Sequence, residues 1–224
     1  MSVTHANKNF QTIAHGDYLL ENNAWREPDV VEPPQCIFAP PGQLLGWNWN
    51  WPGNDHSKVV AFPEVIYGKK PFRSENPSLA LPRRLDDLKQ IDVEYAVNTP
   101  ATGAYNTVFE MWMTANEEAD QASIVTEIMV WVANHGLNPA GRRVHSFNSP
   151  HGPAHLYEMD GRYLAFVLEK EMLQGRIDLM SFLHELRRLK FISGEHYVSS
   201  VEFGNEVAYG QGVTIIDKYC VQVS

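Results

Sequence analysis

Three segments of this 224-residue chain place glutamates among apolar residues. Glu127 lies within Val125-Thr126-Glu127-Ile128-Met129-Val130-Trp131-Val132. Read as a strand, Thr126, Ile128, Val130 and Val132 point one way, and Val125, Glu127, Met129 and Trp131 the other. Both faces are largely apolar, so the strand is expected to be central and covered on both sides. A lone buried carboxylate costs on the order of several kcal/mol unless it is paired or lines a cleft. Such a group is either a core Glu satisfied by a local Arg or backbone donor, or a working acid. In Val201-Glu202-Phe203-Gly204-Asn205-Glu206, alternation puts Glu202, Gly204 and Glu206 on one face. Gly204 leaves room there for a ligand or a neighbouring backbone. Surface acids are the competing explanation for this pair. Glu110 lies in the third, between Val108 and Trp112 on one face of Thr107–Trp112. Carboxyl groups whose surroundings separate their acidities can serve as a nucleophile and a proton donor.

Aromatic residues suggest what those acids would act on. The chain has six Trp, nine Tyr and ten Phe. Flat rings pack on the C–H faces of sugars while leaving the hydroxyls free to hydrogen-bond. Asn22-Asn23-Ala24-Trp25 combines an amide pair with a ring. In Trp47-Asn48-Trp49-Asn50-Trp51 the three Trp alternate onto one face, as a ladder for a polysaccharide or as a core stripe. A metal site built from His145, His151 and His155 is a poor alternative. Gly152-Pro153 separates the last two, and no carboxylate or Cys joins them at ligand spacing. No cofactor is expected.

The elements that must position these residues read as strands. Period-two alternation marks strands near 12–21, 35–38, 44–51, 58–67, 90–98, 104–114, 123–134, 142–148, 154–159, 162–169, 196–206 and 212–223. Pro40-Pro41-Gly42, Pro52-Gly53-Asn54-Asp55, Asn148-Ser149-Pro150, Asp160-Gly161 and Gly210-Gln211-Gly212 read as turns between them. Many short strands with Gly/Pro turns predict an all-β sandwich or jelly roll. Residues 177–190 break the pattern. Leu179, Phe182, Leu183 and Leu186 recur at helical spacing, and Arg187, Arg188 and Lys190 suit a helix C-terminus. This predicts one amphipathic helix on the outside of a sheet.

No internal repeat or linker-like stretch divides residues 1–224, so a single domain is expected. The net charge of −9 argues against nucleic acid and anionic membrane as partners, because both call for a basic patch. No apolar run is long enough for a membrane span. Cys36 and Cys220 could form one disulfide or stay as two free thiols. The start, Met1-Ser2-Val3-Thr4-His5, lacks the pattern of a signal peptide.

Taken together, these segments resemble glycoside hydrolase family 12, the small jelly-roll endoglucanases and xyloglucanases. Six pieces fall in the family's order: Asn22-Asn23-Ala24-Trp25, Trp49-Asn50-Trp51, Val59-Val60-Ala61-Phe62-Pro63, Leu81-Pro82-Arg83-Arg84, Glu127-Ile128-Met129-Val130-Trp131 and Gly204-Asn205-Glu206. The resemblance implies a β-jelly-roll sandwich of two antiparallel sheets, with a concave sheet forming an open substrate cleft and the helix on the convex side. It implies Glu127 as nucleophile and Glu206 as general acid/base of a retaining endo-β-1,4-glucanase. Asn23 and Trp25 would contact sugar on the non-reducing side, with Met129 beside the nucleophile. Trp49, Trp51, Trp131 and Tyr209 complete the expected substrate-binding set, and the loop at Asn138-Pro139-Ala140-Gly141 would be the cord crossing one end of the cleft. Alternatives are a xyloglucan-specific enzyme and a non-catalytic carbohydrate-binding jelly roll. The implied partner is a β-glucan polysaccharide or oligosaccharide, acted on by a secreted monomer whose signal peptide is absent from this chain.

Departures from the family concern tuning. Glu110 stands where the family has Asp to hydrogen-bond the nucleophile, and it would orient Glu127 if it holds a proton. Arg26 replaces the usual Gly, Ala208 an aromatic (Tyr209 follows), and the N-terminal Cys that bridges to the Cys36 position is missing. Cys36 is therefore expected to be a free buried thiol.

Overall fold

The computed structural model describes residues 4–25, 34–40 and 44–224. Arg26 and the Pro41-Gly42 part of the first expected turn lie outside the described residues. The strands are β1 (His5–Ala6), β2 (Thr12–His15), β3 (Tyr18–Glu21), β4 (Gln35–Phe38), β5 (Leu45–Trp51), β6 (Glu64–Gly68), β7 (Arg83–Arg84), β8 (Ile91–Asn98) and β9 (Ala101–Thr114). There follow β10 (Ile124–His135), β11 (Arg142–Ser149), β12 (Gly152–Met159), β13 (Tyr163–Leu168) and β14 (Gln174–Asp178). The helix α1 (Leu179–Arg188) precedes β15 (Tyr197–Val198), β16 (Ser200–Gly204) and β17 (Val207–Val223).

These strands form the expected jelly-roll sandwich. One layer runs β1-β4-β5-β17-β8-β14. The other runs β2-β3-β6-β16-β9-β10-β13-β12-β11, with the short β7–β15 pair on the end of β9. The expectation of purely antiparallel sheets needs one correction: β10 and β13 are parallel, Glu127 facing Tyr163 and Trp131 facing Val167. The β11–β12 hairpin lies between them in sequence and lets the chain return in the same direction.

The main core lies between the two sheets. Ile128, Val130 and Val132 of β10 and Phe109, Met111 and Met113 of β9 face it. Helix α1 packs against β11 and β13 of the larger sheet. Phe182 packs on Phe147 and Phe166 of that sheet, with ring centroids 5.9 Å and 5.1 Å apart. Asp178 caps the helix, its Oδ1 accepting from Ser181 N at 3.1 Å, and Arg187 and Arg188 close the last turn. The cap explains why the helix starts at Leu179 and not at Ile177. Lys190, at φ 66°, has left helical conformation.

Other boundaries shifted for visible reasons. The stretch 12–21 is a hairpin, turned at Gly16 with φ 59°. Of 58–67, only the part from Glu64 pairs continuously; before it, Ala61 makes single bridges to Ala24 and Val207, and Pro63 has no N–H to give a ladder. Strand β14 escaped detection because Gln174-Gly175-Arg176-Ile177-Asp178 carries one apolar residue and forms a sheet edge. Gly210-Gln211-Gly212 is no turn; it lies inside β17, where β17 passes from one sheet to the other along β9. A Cβ on Gly210 would come 2.0 Å from Thr102 O, and one on Gly103 would come 2.2 Å from Tyr209 O. Only glycines permit that crossing.

Cys36 and Cys220 are free and partly buried. Burial pushes the Cys36 thiol up.

Candidate active site

A cleft of about 700 Å³ opens on the outer face of the larger sheet, and Glu110, Glu127 and Glu206 all line it. Alternation explains the first two. Glu110 alternates with Phe109 and Met111 on β9, and Glu127 neighbours Ile128 on β10; the apolar partners fill the core and the acids face out. Across the β9–β10 ladder, Glu127 pairs with Trp112 and Met129 with Glu110. Glu127 and Glu110 are therefore diagonal neighbours on one face.

Glu206 reaches the cleft by a different route. Strand β16 ends at Gly204 and β17 begins at Val207, so Glu206 sits in the bend between them. Gly204 serves a neighbouring backbone and side chain, not a ligand: a Cβ there would come 2.5 Å from Pro63 O and 2.7 Å from the Phe62 ring. Asn106 pins the bend from β9. Its Nδ2 donates to Glu206 Oε2 at 2.5 Å, its Oδ1 accepts from Glu206 N at 2.9 Å, and its own N–H donates to Glu206 O at 3.0 Å. Beneath it, fully buried Asn205 donates to Asn106 O and Thr107 Oγ1 at 2.7 Å and 3.0 Å. Asn205 Oδ1 accepts from Trp47 Nε1 at 2.7 Å and from Thr214 Oγ1 at 2.6 Å. Asn106 and Asn205 were missed in the sequence. Asn106 shares its face with Val108, Glu110 and Trp112, which was the available signal.

Burial raises both acids. The Glu127 carboxyl is pushed up to about 8, by desolvation first and then by the charges of Glu206 and Glu202. Glu206 is pushed up to about 7 by desolvation, against which the Asn106 hydrogen bond favours the charged form. The charge of Glu206 is among the causes that raise Glu127, so the two carboxyl groups titrate as a pair. Glu110 is raised well above its ordinary value by burial and by the charges of Glu202 and Glu127, which favours the protonated form that can donate a hydrogen bond.

The expected sugar-binding residues divide. Trp25 is 49% exposed and lines the cleft. Asn23 lines it too, with its Nδ2 donating to Glu64 Oε1 at 2.8 Å. Met129 lines the cleft beside Glu127, and Trp131 lies buried next to it, its Nε1 donating to Met129 Sδ at 3.4 Å. Tyr209 stands outside the cleft lining, with its hydroxyl 2.9 Å from His56 Nε2. Trp49 and Trp51 do not form a ladder. They join Trp47 in the main core between the sheets, at 2% and 5% exposure, with Trp51 Nε1 donating to Gln35 Oε1 at 3.1 Å. The alternating face of β5 looks inward, and the asparagines between the rings take the solvent side.

The cleft also includes residues not anticipated: Phe10, Phe62, Phe72, Glu21, Lys70 and Arg73. The cord position Ala140 packs on the cluster of Met129, Trp131 and Tyr163. His145, His151 and His155 are spent separately. The first lies 2.7 Å from Glu185, the second accepts from Asp178 N at 2.8 Å, and the third lies 3.0 Å from Glu169.

Comparison with known proteins agrees with this geometry. The model for "Glycosyl hydrolase family 12" matches residues 16–224. Endoglucanase S of Pectobacterium parmentieri is 30% identical over 221 residues, covering 94% of this chain and 83% of its own length. A probable xyloglucan-specific endo-beta-1,4-glucanase A of Neosartorya fischeri is 24% identical, covering 95% of this chain and 89% of its own. The family 12 xyloglucanase of Bacillus licheniformis, solved in complex with ligand, is 26% identical and superposes with a TM-score of 0.89 over 99% of this chain and 100% of that one. An endoglucanase of Rhodothermus marinus shares the fold at a TM-score of 0.84, with 21% identity over 99% of each chain. A jelly roll whose cleft gathers Glu110, Glu127 and Glu206, matched by family and by relatives over almost its whole length, belongs to glycoside hydrolase family 12.

Proposed function

We propose that the chain is a retaining endo-β-1,4-glucanase, with Glu127 as nucleophile and Glu206 as general acid/base. The observation that carries this reading is that both carboxyl groups line one cleft and that the charge of Glu206 acts on Glu127. Retention calls for carboxyl groups about 5–5.5 Å apart, one on each side of the scissile bond. In the first step the Glu127 carboxylate attacks the anomeric carbon. The C–O bond to the leaving chain breaks, and Glu206 gives its proton to the departing oxygen. In the second step Glu206 takes a proton from water, the hydroxide adds to the same carbon, and Glu127 leaves as carboxylate. The proton on Glu110 would point that carboxylate toward the sugar, and Asn106 would keep Glu206 in place through both steps. Trp25 offers the open ring against which a sugar packs, and Asn23 an amide beside it.

The substrate class follows from the relatives, one named as an endoglucanase and others as xyloglucan-specific. The exposed rings of Phe10 and Phe72 at the cleft suit a decorated chain, which favours xyloglucan as the second reading. The whole chain 1–224 acts as one catalytic domain, a monomer outside the cell with β-glucan as its partner and neither nucleic acid nor membrane. Among the described residues no helix is long and apolar enough to cross a membrane. A panel of carboxymethylcellulose, barley β-glucan, xyloglucan and xylan tests the substrate, and an NMR time course tests the stereochemistry. The reading expects β-anomer first; α-anomer first would exclude retention, and no reducing sugar from any glucan would leave a binding protein.

A further inference from the structure

The retaining mechanism makes no use of Lys70, yet among the described residues it is the one Lys or Arg side chain that is buried, at 5% exposure. Its Nζ lies 2.5 Å from Glu64 Oε1, 3.1 Å from Glu202 Oε2 and 3.7 Å from Glu21 Oε2. Arg73 shares Glu21, with Nη1 3.1 Å from its Oε1. Glu202 Oε1 accepts from Ser200 Oγ at 2.7 Å. Glu64 Oε2, in contrast, is buried without an N–H or hydroxyl donor. Burial holds the Glu64 carboxyl well above the usual carboxylate range, and the neighbouring Glu202 adds to the rise while Lys70 opposes it. Lys70 thus sits on a pair of buried carboxyl groups.

Two lines lead from that pair to the cleft. Glu64 Oε1 holds Asn23 Nδ2 at 2.8 Å. Glu202 stands directly across from Glu110 on the β16–β9 ladder, and Glu110 is the diagonal neighbour of Glu127. Groups opposite each other on such a ladder have Cβ atoms about 4.5–5.5 Å apart, within strong electrostatic reach when buried. Lys70 faces Glu21 from β3, Glu64 from β6, Glu110 from β9 and Glu202 from β16. Glu127 feels Glu206 and Glu202 and itself raises Glu110, with Tyr163 beside it on β13, and Lys70 is the cation acting on it.

We infer that Lys70 is a positioning residue for hydrolysis: its ion pairs with Glu64 and Glu202 fix the charge of the acid network beneath Glu127 and anchor Asn23 at the sugar-binding wall. This rests on Glu127 being the nucleophile. Without the ammonium, Glu127 ionises at higher pH, because Lys70 favours its charged form.

The test is the pH profile of kcat/KM for purified Lys70→Met and Lys70→Arg enzymes on a soluble glucan. Lys70→Met is expected to move the acid limb upward by about one unit or more, while Lys70→Arg keeps it near the wild-type position. A folded Lys70→Met enzyme with an unmoved limb would overturn the inference, as would a Lys70→Arg limb displaced as far as that of Lys70→Met. Should Lys70→Met not fold, the double variant Lys70→Met/Glu64→Gln removes the buried pair together. It carries the same expected upward shift, and an unmoved limb in it overturns the inference. A Glu127→Gln control separates the two claims. Activity in that control breaks the nucleophile assignment, whereas a dead control with an unmoved Lys70→Met limb breaks only the role of Lys70.

Discussion

Strands β5 and β10 carry the same alternation and use it in opposite directions. In β5 the large rings of Trp47, Trp49 and Trp51 point into the sandwich and small asparagines face out. In β10 the aliphatic residues point into the sandwich, and Glu127, Met129 and Trp131 occupy the outer face, where the cleft lies. A period of two says which residues share a face, but not which face meets the other sheet. Chemistry settles it in β10, since a carboxyl has no place among Ile128, Val130 and Val132. In β5 both Trp and Asn tolerate either side: the indole N–H of Trp47 finds a buried acceptor in Asn205 and that of Trp51 in Gln35, and the rings fill the core.

That contrast can be broken by substitution. Glu206→Gln, on the cleft, should leave the fold intact and lower turnover by roughly 10²–10⁴-fold, the usual worth of a general acid. Glu127→Gln should lose at least as much. Near-normal kcat in either would void its role. Trp47→Ala, in the core, should do the reverse of a cleft change: it removes a fully buried ring and frees Asn205, costing roughly 3–5 kcal/mol of folding stability in denaturant titration. Trp25→Ala should leave the unfolding midpoint in place and raise KM on long glucans. If Trp25→Ala destabilises and Trp47→Ala does not, the two faces have been exchanged.

The pH dependence of stability sharpens the same comparison. Glu127 and Glu206 have folded values above the usual carboxylate value, so the native state binds more protons than the unfolded chain between about 4.5 and 8. Their contribution is fully present below about 4.5 and is lost as pH rises through about 7 and 8. Glu127→Gln should therefore melt above wild type at pH 8.5, by up to a few kcal/mol at about 1.4 kcal/mol per unit, and coincide with it near pH 4.5. Scanning calorimetry at both values checks this; equal melting at pH 8.5 would mean that Glu127 is not strained by burial. The smallest effect is expected at Asn106→Ala. Losing its bonds to Glu206 should lower kcat roughly tenfold, as one net hydrogen bond of about 1–1.5 kcal/mol implies, with little change in KM.

Much of this molecule was legible in its sequence because strands β8 to β13 alternate cleanly and flank apolar runs with turn residues. Helix α1 was legible for the same kind of reason, four leucines and phenylalanines at helical spacing. Glu127 and Glu110 could be found because each interrupts an apolar face. Glu206 was weaker evidence, since it lies in a bend where alternation has stopped, and only the family pattern singled it out. The hub at Lys70 was invisible. Its partners Glu21, Glu64 and Glu202 come from three strands, and no local pattern links residues so far apart in sequence. Edge strand β14 and the glycine crossing of β9 and β17 failed for a similar reason: both depend on what lies alongside, and the local residues do not report it.

The central claim is that Glu127 makes the bond to the sugar. A 2-deoxy-2-fluoro cello-oligosaccharide bearing a good leaving group should arrest a retaining enzyme at the glycosyl-enzyme stage. Peptide mapping by mass spectrometry then reads the attachment site. The account predicts one label per chain, on Glu127, and a label on Glu110 or Glu206 instead would contradict it.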